Sequence, residues 1–253
     1  MGIFANPLTD LLEYEDFSRD FLKGTDPVGM TGCIDSEKVH FMSTFLGEKK
    51  VQLVVTYNEQ RAREIEEDYK LFCSQVYVIP PRDLIFFSAD LQGNAIIAER
   101  MKAFAALYQN EAKVIITTID ALMSAAVPFE QLMSHVIKLK EGDELDLEKL
   151  KHDLTVMGYE RVGRVEEPGQ FTVHGGIADV YPLTMEVPVR IELWGDEIDT
   201  IRCFEPQSQR SMDQIECVSV FPAAEVIADD TARRRAVGMI QNELESQLAV
   251  FKK

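Results

Sequence analysis

Apolar residues in the first half of the chain alternate between short continuous runs and helical stripes. The strand-like runs cover residues 51–55, 76–79 and 113–117 and are rich in Val and Ile. Between and after them, apolar residues spaced three and four apart predict helices over 58–73, 94–109 and 119–125. Strand–helix–strand units of this kind predict a parallel sheet that is covered on both faces.

After Pro128 the pattern changes to short strands around one helix. A strand is predicted over 135–139, and a helix over 145–157 that Gly158 ends. Further strands with two-residue alternation are predicted over 159–165, 170–174, 177–181, 187–194 and 197–204, separated by Gly-containing turns. This is the pattern of an antiparallel α+β domain.

The last residues contain one predicted strand, 217–221, and one amphipathic helix, 230–251. A single strand and helix cannot bury a core of their own, so we expect them to pack on the first domain. The predicted organisation is an α/β domain with a parallel sheet, formed by residues 1–127 and by a return segment, 216–253. An antiparallel α+β domain, residues 128–215, is inserted in it.

Composition and charge narrow the functional classes. With 46% hydrophobic and 27% charged residues, the chain can bury a sizeable core. Its 26 basic and 43 acidic residues give a net charge of −17, which opposes independent binding to a phosphate backbone. No apolar run approaches the ~20 residues of a membrane span, and no signal sequence is visible, so a cytoplasmic location is expected. The four cysteines lie far apart, which predicts neither a zinc site nor a disulfide framework.

One segment, Gly29–Ser36, partly matches the phosphate-binding P-loop, G-x-x-x-x-G-K-S/T, and precedes a helical pattern. It keeps the first glycine and the final serine and has Gly32 between them. Ile34 stands at the second glycine and Asp35 at the lysine. A side chain there hinders the approach of the backbone to phosphate, and the carboxylate repels it. We therefore predict a degenerate P-loop that holds no nucleotide.

Patterns of catalytic or metal-binding residues do not occur in the sequence. The four histidines are isolated, and no Ser/His/Asp or Cys/His arrangement is visible. No catalytic residue, cofactor or metal ion is predicted. Two functional classes stay open: a divergent P-loop ATPase or helicase fragment that acts on DNA, and a binding module without enzymatic activity.

Two segments, Gly158–Pro182 and Arg190–Arg210, carry an ordered series of motifs. The series reads G-Y-x-x-V, P-G-x-F, H-G-x-x-x-D-x-Y-P, R-x-E-x-W-x-D-E-I-x-x-I-R and E-P-x-S-Q-R. It resembles the UvrB-like N-terminal region of the transcription-repair coupling factor (Mfd) family and, at a greater distance, the repair protein UvrB. The S-Q-R ending and the altered P-loop favour the coupling factors. The resemblance extends to Asp83–Ser88 and to the helix through Glu99 and Arg100.

This resemblance implies a helicase-like domain that has lost its ATPase motifs and carries an inserted domain that binds UvrA. The chain is then a non-catalytic adaptor that recruits UvrA in transcription-coupled nucleotide excision repair. The full-length family protein is an ATP-dependent DNA translocase, and the contacts with RNA polymerase and DNA belong to other parts of it. No membrane partner is implied.

The resemblance also implies a partner surface, because in UvrB-like inserted domains arginines on the exposed face of the antiparallel sheet contact UvrA. By this resemblance Arg161 matches one of them, and Thr172 and His174 stand where UvrB has two others. The coupling factors commonly keep an arginine at the position of His174, so this sequence departs from both relatives there. Arg164 offers a replacement for some of the lost charge, although on one strand it points away from Arg161. Phe171 completes the candidate partner-binding residues, but alternation places it on the face opposite Thr172, where a core position is the competing interpretation.

Overall fold

The computed structural model describes residues 8, 10–11, 14–25, 27–46, 51–82, 91–124, 126–227 and 230–251. The chain divides into two compact units, residues 1–124 and 125–253. The structure is mixed α/β: unit 1 contains a parallel sheet, and unit 2 a largely antiparallel one. The α/β class predicted from the sequence is therefore confirmed.

From residue 52 onward, unit 1 alternates strands and helices in the predicted order. Its elements are α1 (Tyr14–Lys23), α2 (Asp35–Ser43), β1 (Gln52–Thr56), α3 (Glu59–Lys70), β2 (Val76–Ile79), α4 (Leu91–Tyr108), β3 (Val114–Thr118) and α5 (Ile119–Met123). The strand order is β1-β3-β2, and both pairs are parallel. All five residues of the central strand β3 are buried, as its continuous apolar run predicts.

Helices cover both faces of this sheet. On one face Ala62, Ile65 and Tyr69 of α3 pack against Val114 and Ile116. On the other face, buried alanines of α4 pack near Ile115, because small side chains allow a helix to approach a sheet closely. The helix α1, which the apolar pattern did not indicate, is held by aromatic contacts. In one of them, the Phe17 and Phe41 rings meet edge to face with centroids 4.8 Å apart.

Unit 2 consists of α6 (Phe129–Met133), β4 (Ile137–Lys140), α7 (Leu147–Val156), β5 (Glu160–Arg161), β6 (Gln170–His174), β7 (Ile177–Val180), β8 (Val189–Trp194), β9 (Glu197–Phe204), β10 (Ser211–Gln214), β11 (Cys217–Val220) and α8 (Asp230–Phe251). Six strands form one sheet in the order β10-β9-β8-β7-β6-β5. Only the short edge pair β5–β6 is parallel in this sheet. A separate two-stranded sheet pairs β4 with β11.

The core of unit 2 lies between α7 and one face of the six-stranded sheet. Leu150, Leu154 and Met157 come from the helix side, and Phe171 and Ile191 are among the fully buried sheet residues that complete the cluster. We call the opposite face of the sheet the outer face. Because side chains alternate along a strand, it carries Thr172, His174, Ile177, Asp179, Arg190, Glu192 and Trp194.

The return segment differs from the sequence prediction. We expected residues 216–253 to join the first domain, but β11 pairs antiparallel with β4, with Val218 opposite Leu139. The backbone N–H groups of Ala223 and Ala224 donate to the Met157 carbonyl at 2.9 and 3.1 Å. The strand therefore belongs to unit 2, because β4 offers it a hydrogen-bonding edge and α7 an apolar surface.

The turn after α7 confirms the predicted terminal glycine. Gly158 has a φ of +91°, in the left-handed region that favours glycine. A Cβ atom at this position would lie 2.7 Å from Ala224 Cβ, closer than two carbon atoms can approach. Gly158 thus lets the segment after β11 pass directly over the end of α7.

Candidate partner-binding face

The segment that resembles a P-loop follows a helix in this structure. Of the described residues before Gly29, those from 14 to 23 form α1, whereas a P-loop connects a strand to a helix. Gly32 has a φ of +84°, and α2 begins at Asp35 with the exposed Ile34 as its N-cap. The segment thus leads into a helix N-terminus, as a P-loop does, but the element before it is a helix instead of a strand.

Charged side chains already occupy this helix N-terminus. The N–H of Ile34 donates to Oε2 of Glu37 at 3.0 Å, so a carboxylate of the protein already uses one of the backbone donors at this helix N-terminus. One carboxylate oxygen of Asp35 lies 3.3 Å from Lys38 Nζ and 3.5 Å from Arg61 Nη2. The cations that could neutralise a phosphate here are engaged by an acidic residue.

Arg161 lies in the edge strand β5 and is exposed. Among the described residues, none forms a hydrogen bond or an ion pair with its guanidinium group. The backbone register places it beside Phe171 rather than beside Thr172 or His174. Alternation therefore puts Arg161 on the other side of the sheet plane, at its edge.

Arg164 lies outside β5, because that strand covers two residues instead of the predicted 159–165. Its guanidinium group donates to the backbone carbonyls of Pro206 and Gln207. Its Nε also lies 3.3 Å from Oε1 of Glu166. Arg164 thus ties the loop 162–167 to the loop 205–210, and the two arginines have different local roles.

The three candidates on β6 separate in the same way. Phe171 is fully buried in the core between the sheet and α7, so it cannot contact a partner at the protein surface. Thr172 is 5% exposed, and its Oγ1 lies 2.9 Å from Nε2 of His174. Only His174 of these three is exposed. The structure therefore brings Thr172 and His174 together and leaves Arg161 apart from them.

An ion pair that the sequence analysis missed anchors the middle of the outer face. Arg190 donates from Nε and Nη2 to the two carboxylate oxygens of Asp179, both at 2.8 Å, and its guanidinium group lies 4.8 Å from the Phe204 ring centroid. The hydrogen bond with Asp179 raises the pKa of Arg190 above its ordinary value. Both residues occur in the family motifs, and strand alternation would have placed them on one face.

The loops 162–167 and 205–210 cover only one end of the outer face. Gln209 Nε2 donates to the carbonyls of Val165 and Pro206 at 3.2 and 2.7 Å, and Val165, Tyr181 and Phe204 form a small buried cluster beneath them. At the other end, next to the hairpin turns, Ile177 is 40% exposed and Trp194 is 82% exposed. Neither residue is among the candidates predicted from the sequence, although their outward positions follow from the alternation.

Neither clustered metal ligands nor a membrane-spanning helix is present in the part of the chain that the structure describes. Within it, no group of three or more His, Cys, Asp or Glu side chains is placed to hold a metal ion. None of the described helices is long and apolar enough to cross a membrane.

Residues 137–225 match the family model described as the UvrB interaction domain. These residues contain α7 and the whole six-stranded sheet. Unit 2 therefore contains a domain similar to the UvrB interaction domain, a domain class of repair proteins. The outer face and β5 both lie within the matched residues.

Comparison with whole proteins extends the similarity to both units. The chain is 33% identical over 231 residues to the transcription-repair-coupling factor of Staphylococcus haemolyticus, covering 90% of this chain and 19% of that protein. It is 30% identical over 253 residues to that of Bacillus subtilis, covering 98% and 22%. The chain is thus a relative of the transcription-repair-coupling factors, as its motifs predicted, and spans about a fifth of their length. Asp83–Ser88, part of that resemblance, lies outside the described residues.

Proposed function

We propose that this chain is a non-catalytic adaptor region of a transcription-repair coupling factor and recruits UvrA in transcription-coupled nucleotide excision repair. The match of residues 137–225 to the UvrB interaction domain supports this role. RNA polymerase contacts, DNA contacts and ATP-driven translocation are assigned to other parts of the longer protein. Unit 1 is then a helicase-like domain without a working nucleotide site.

The observation that carries the proposal is the state of Arg161. This exposed arginine has no partner among the described residues. By the motif resemblance, it matches a partner-binding arginine of UvrB-like domains. Arg164, by contrast, already donates to two backbone carbonyls. An unpaired surface arginine can form a bidentate bond to a carboxylate of a partner without first breaking a bond of its own.

The test is the affinity for UvrA of Arg161→Glu measured against the parent chain. We expect binding to weaken at least tenfold, about 1.4 kcal/mol, because the substitution replaces attraction by repulsion. Lys149→Glu is the matched control: it makes the same charge change at an exposed position in the first turn of α7, at the end of that helix away from β5.

Circular dichroism would establish that both variants are folded. Equal losses in the two variants would show a general charge effect and contradict the assignment of Arg161. Absence of UvrA binding by the folded parent chain would contradict the proposed function itself.

The alternative, a divergent P-loop ATPase that acts on DNA, is disfavoured by the arrangement around α2. Glu37 takes the free N–H of Ile34, and Asp35 stands where a lysine is needed. We expect no heat of binding when Mg-ATP is titrated into the chain. A dissociation constant below about 100 µM, or roughly 5.5 kcal/mol of binding free energy, would revive the ATPase interpretation.

A further inference from the structure

One end of the outer face carries an exposed apolar patch that is separate from Arg161, the residue assigned above to UvrA binding. We define the Trp194 patch as His174, Ile177 and Trp194. Ile177 is directly opposite both His174 and Glu192 in the sheet. Trp194 lies two residues beyond Glu192 on the same strand, so it is a diagonal neighbour of Ile177, with backbones roughly 7–8 Å apart.

All three side chains lie on the same side of the sheet. Ala178, next to Ile177, is fully buried, and Leu193, next to Trp194, packs against the core. Alternation then directs Ile177 and Trp194 outward. Trp194 is 82% exposed, which is unusual for the largest apolar side chain in a folded protein.

The surroundings of the patch indicate what kind of surface would cover it. Glu192, Asp196 and Glu197 border Trp194 on β8, on the turn and on β9. A complementary surface therefore has an apolar cleft that receives the indole ring and a rim that carries basic groups. Exposed tryptophans at the centre of such contacts contribute disproportionately to binding.

We infer that Trp194 is an anchor of the UvrA interface and that the Trp194 patch enters an apolar, basic-rimmed cleft on UvrA. This inference rests on the proposed function and extends it from Arg161, at the edge of the sheet, to the uncovered end of the outer face. Thr172 and His174 form a hydrogen bond with each other, at positions where, by the motif resemblance, UvrB has two arginines. Charged groups on this face therefore contribute less to the free energy of UvrA binding, and burial of the apolar Trp194 side chain compensates for that loss.

Trp194 is the only tryptophan in the chain, which makes the inference directly measurable. In hydroxyl-radical footprinting read by mass spectrometry, Trp194 should be oxidised rapidly in the free chain. Saturating UvrA should slow that oxidation at least fivefold. Tyr57, 71% exposed in unit 1, is the internal control and should keep its rate.

The substitution Trp194→Ala should weaken UvrA binding about 30-fold, equivalent to about 2 kcal/mol. Trp194→Phe should lose less, and Tyr57→Ala should bind like the parent. Because Trp194 is exposed, neither Trp194→Ala nor Trp194→Phe should alter the thermal unfolding of the chain. The footprint of the parent tests the inference even if a variant fails to fold.

If UvrA binds the parent while Trp194 stays unprotected, or if folded Trp194→Ala binds with parental affinity, the inference is overturned and the proposed function stands. If the parent does not bind UvrA, both fall.

Discussion

Single buried polar side chains join distant parts of unit 2. The Tyr159 hydroxyl donates to the Phe221 carbonyl at 2.7 Å across 62 positions of sequence, and the residue is 3% exposed. Burial raises the pKa of Tyr159 above its ordinary value. The bond links the start of the sheet to the segment that follows β11.

Replacing Tyr159 by Phe should lower the free energy of unfolding by about 1–2 kcal/mol, because the Phe221 carbonyl loses its buried donor. The folded state holds the phenolic proton more tightly than the unfolded state. This contribution is therefore fully present below pH ~10, the unfolded pKa, and declines as pH rises above it.

Urea unfolding at pH 7 and near pH 11 measures both effects, with the exposed Tyr57→Phe as control. The variant should lose less stability between the two pH values than the parent. A parent that becomes more stable at the higher pH would contradict the sign of this coupling.

The Asp179–Arg190 pair offers a second test at the scale of residues. Asp179→Asn should cost about 3 kcal/mol of unfolding free energy, because Arg190 keeps its charge in a largely enclosed position. Asp16→Asn is the matched control: its bond to Arg19 is also 2.8 Å long, but both side chains are more than half exposed. There the free energy of unfolding should change far less than at Asp179, because solvent screens the exposed pair. Equal costs at the two sites in chemical denaturation would show that burial is not the cause.

At the scale of elements, α7 supports the candidate face from behind. Its N-cap, Asp146, accepts hydrogen bonds from the N–H groups of Glu148 and Lys149 at 2.9 and 3.1 Å. Leu150 and Leu154 of the helix then pack under Phe171 and the rest of the core cluster. The position of β6, and hence of Thr172 and His174, depends on this helix.

Asp146→Ala should lower the stability of unit 2 by about 1 kcal/mol, since two N–H groups of the first turn lose their acceptor. Asp146→Asn should keep most of it, because its side-chain oxygen still accepts. Asp143→Ala removes an exposed carboxylate from the preceding turn and should be close to neutral. Thermal unfolding of the three variants measures this, and a loss in Asp143→Ala as large as in Asp146→Ala would point to charge rather than capping.

At the scale of the whole molecule, the boundary of unit 2 after the sheet can be tested directly. A fragment of residues 125–227 retains β11 and should unfold cooperatively. A fragment of residues 125–215 lacks β11, which leaves the β4 edge unpaired and exposes Leu139 to solvent. It should be much less stable in urea. Equal stability of the two fragments would show that β11 is dispensable to unit 2.

Local pattern was sufficient to predict the bounds of several elements. The two-residue alternation predicted β6 and β9 with the bounds they have, 170–174 and 197–204. The continuous apolar run of β2 and the amphipathic helix 230–251 were also predicted to the residue. Alternation further identified Phe171 as a residue with a competing core interpretation, and the structure buries it.

The sequence by itself determined the class of fold, the identity of most elements and, through its motifs, the relationship to the transcription-repair-coupling factors. Only the tertiary structure decided that β11 joins β4, that β5 is short, and that Arg164 is engaged while Arg161 is not. It also decided that Trp194 stays uncovered. The physical reason is that apolar periodicity states which side of an element is buried but not against what. The choice of partner for a strand edge or a guanidinium group depends on residues dozens of positions away.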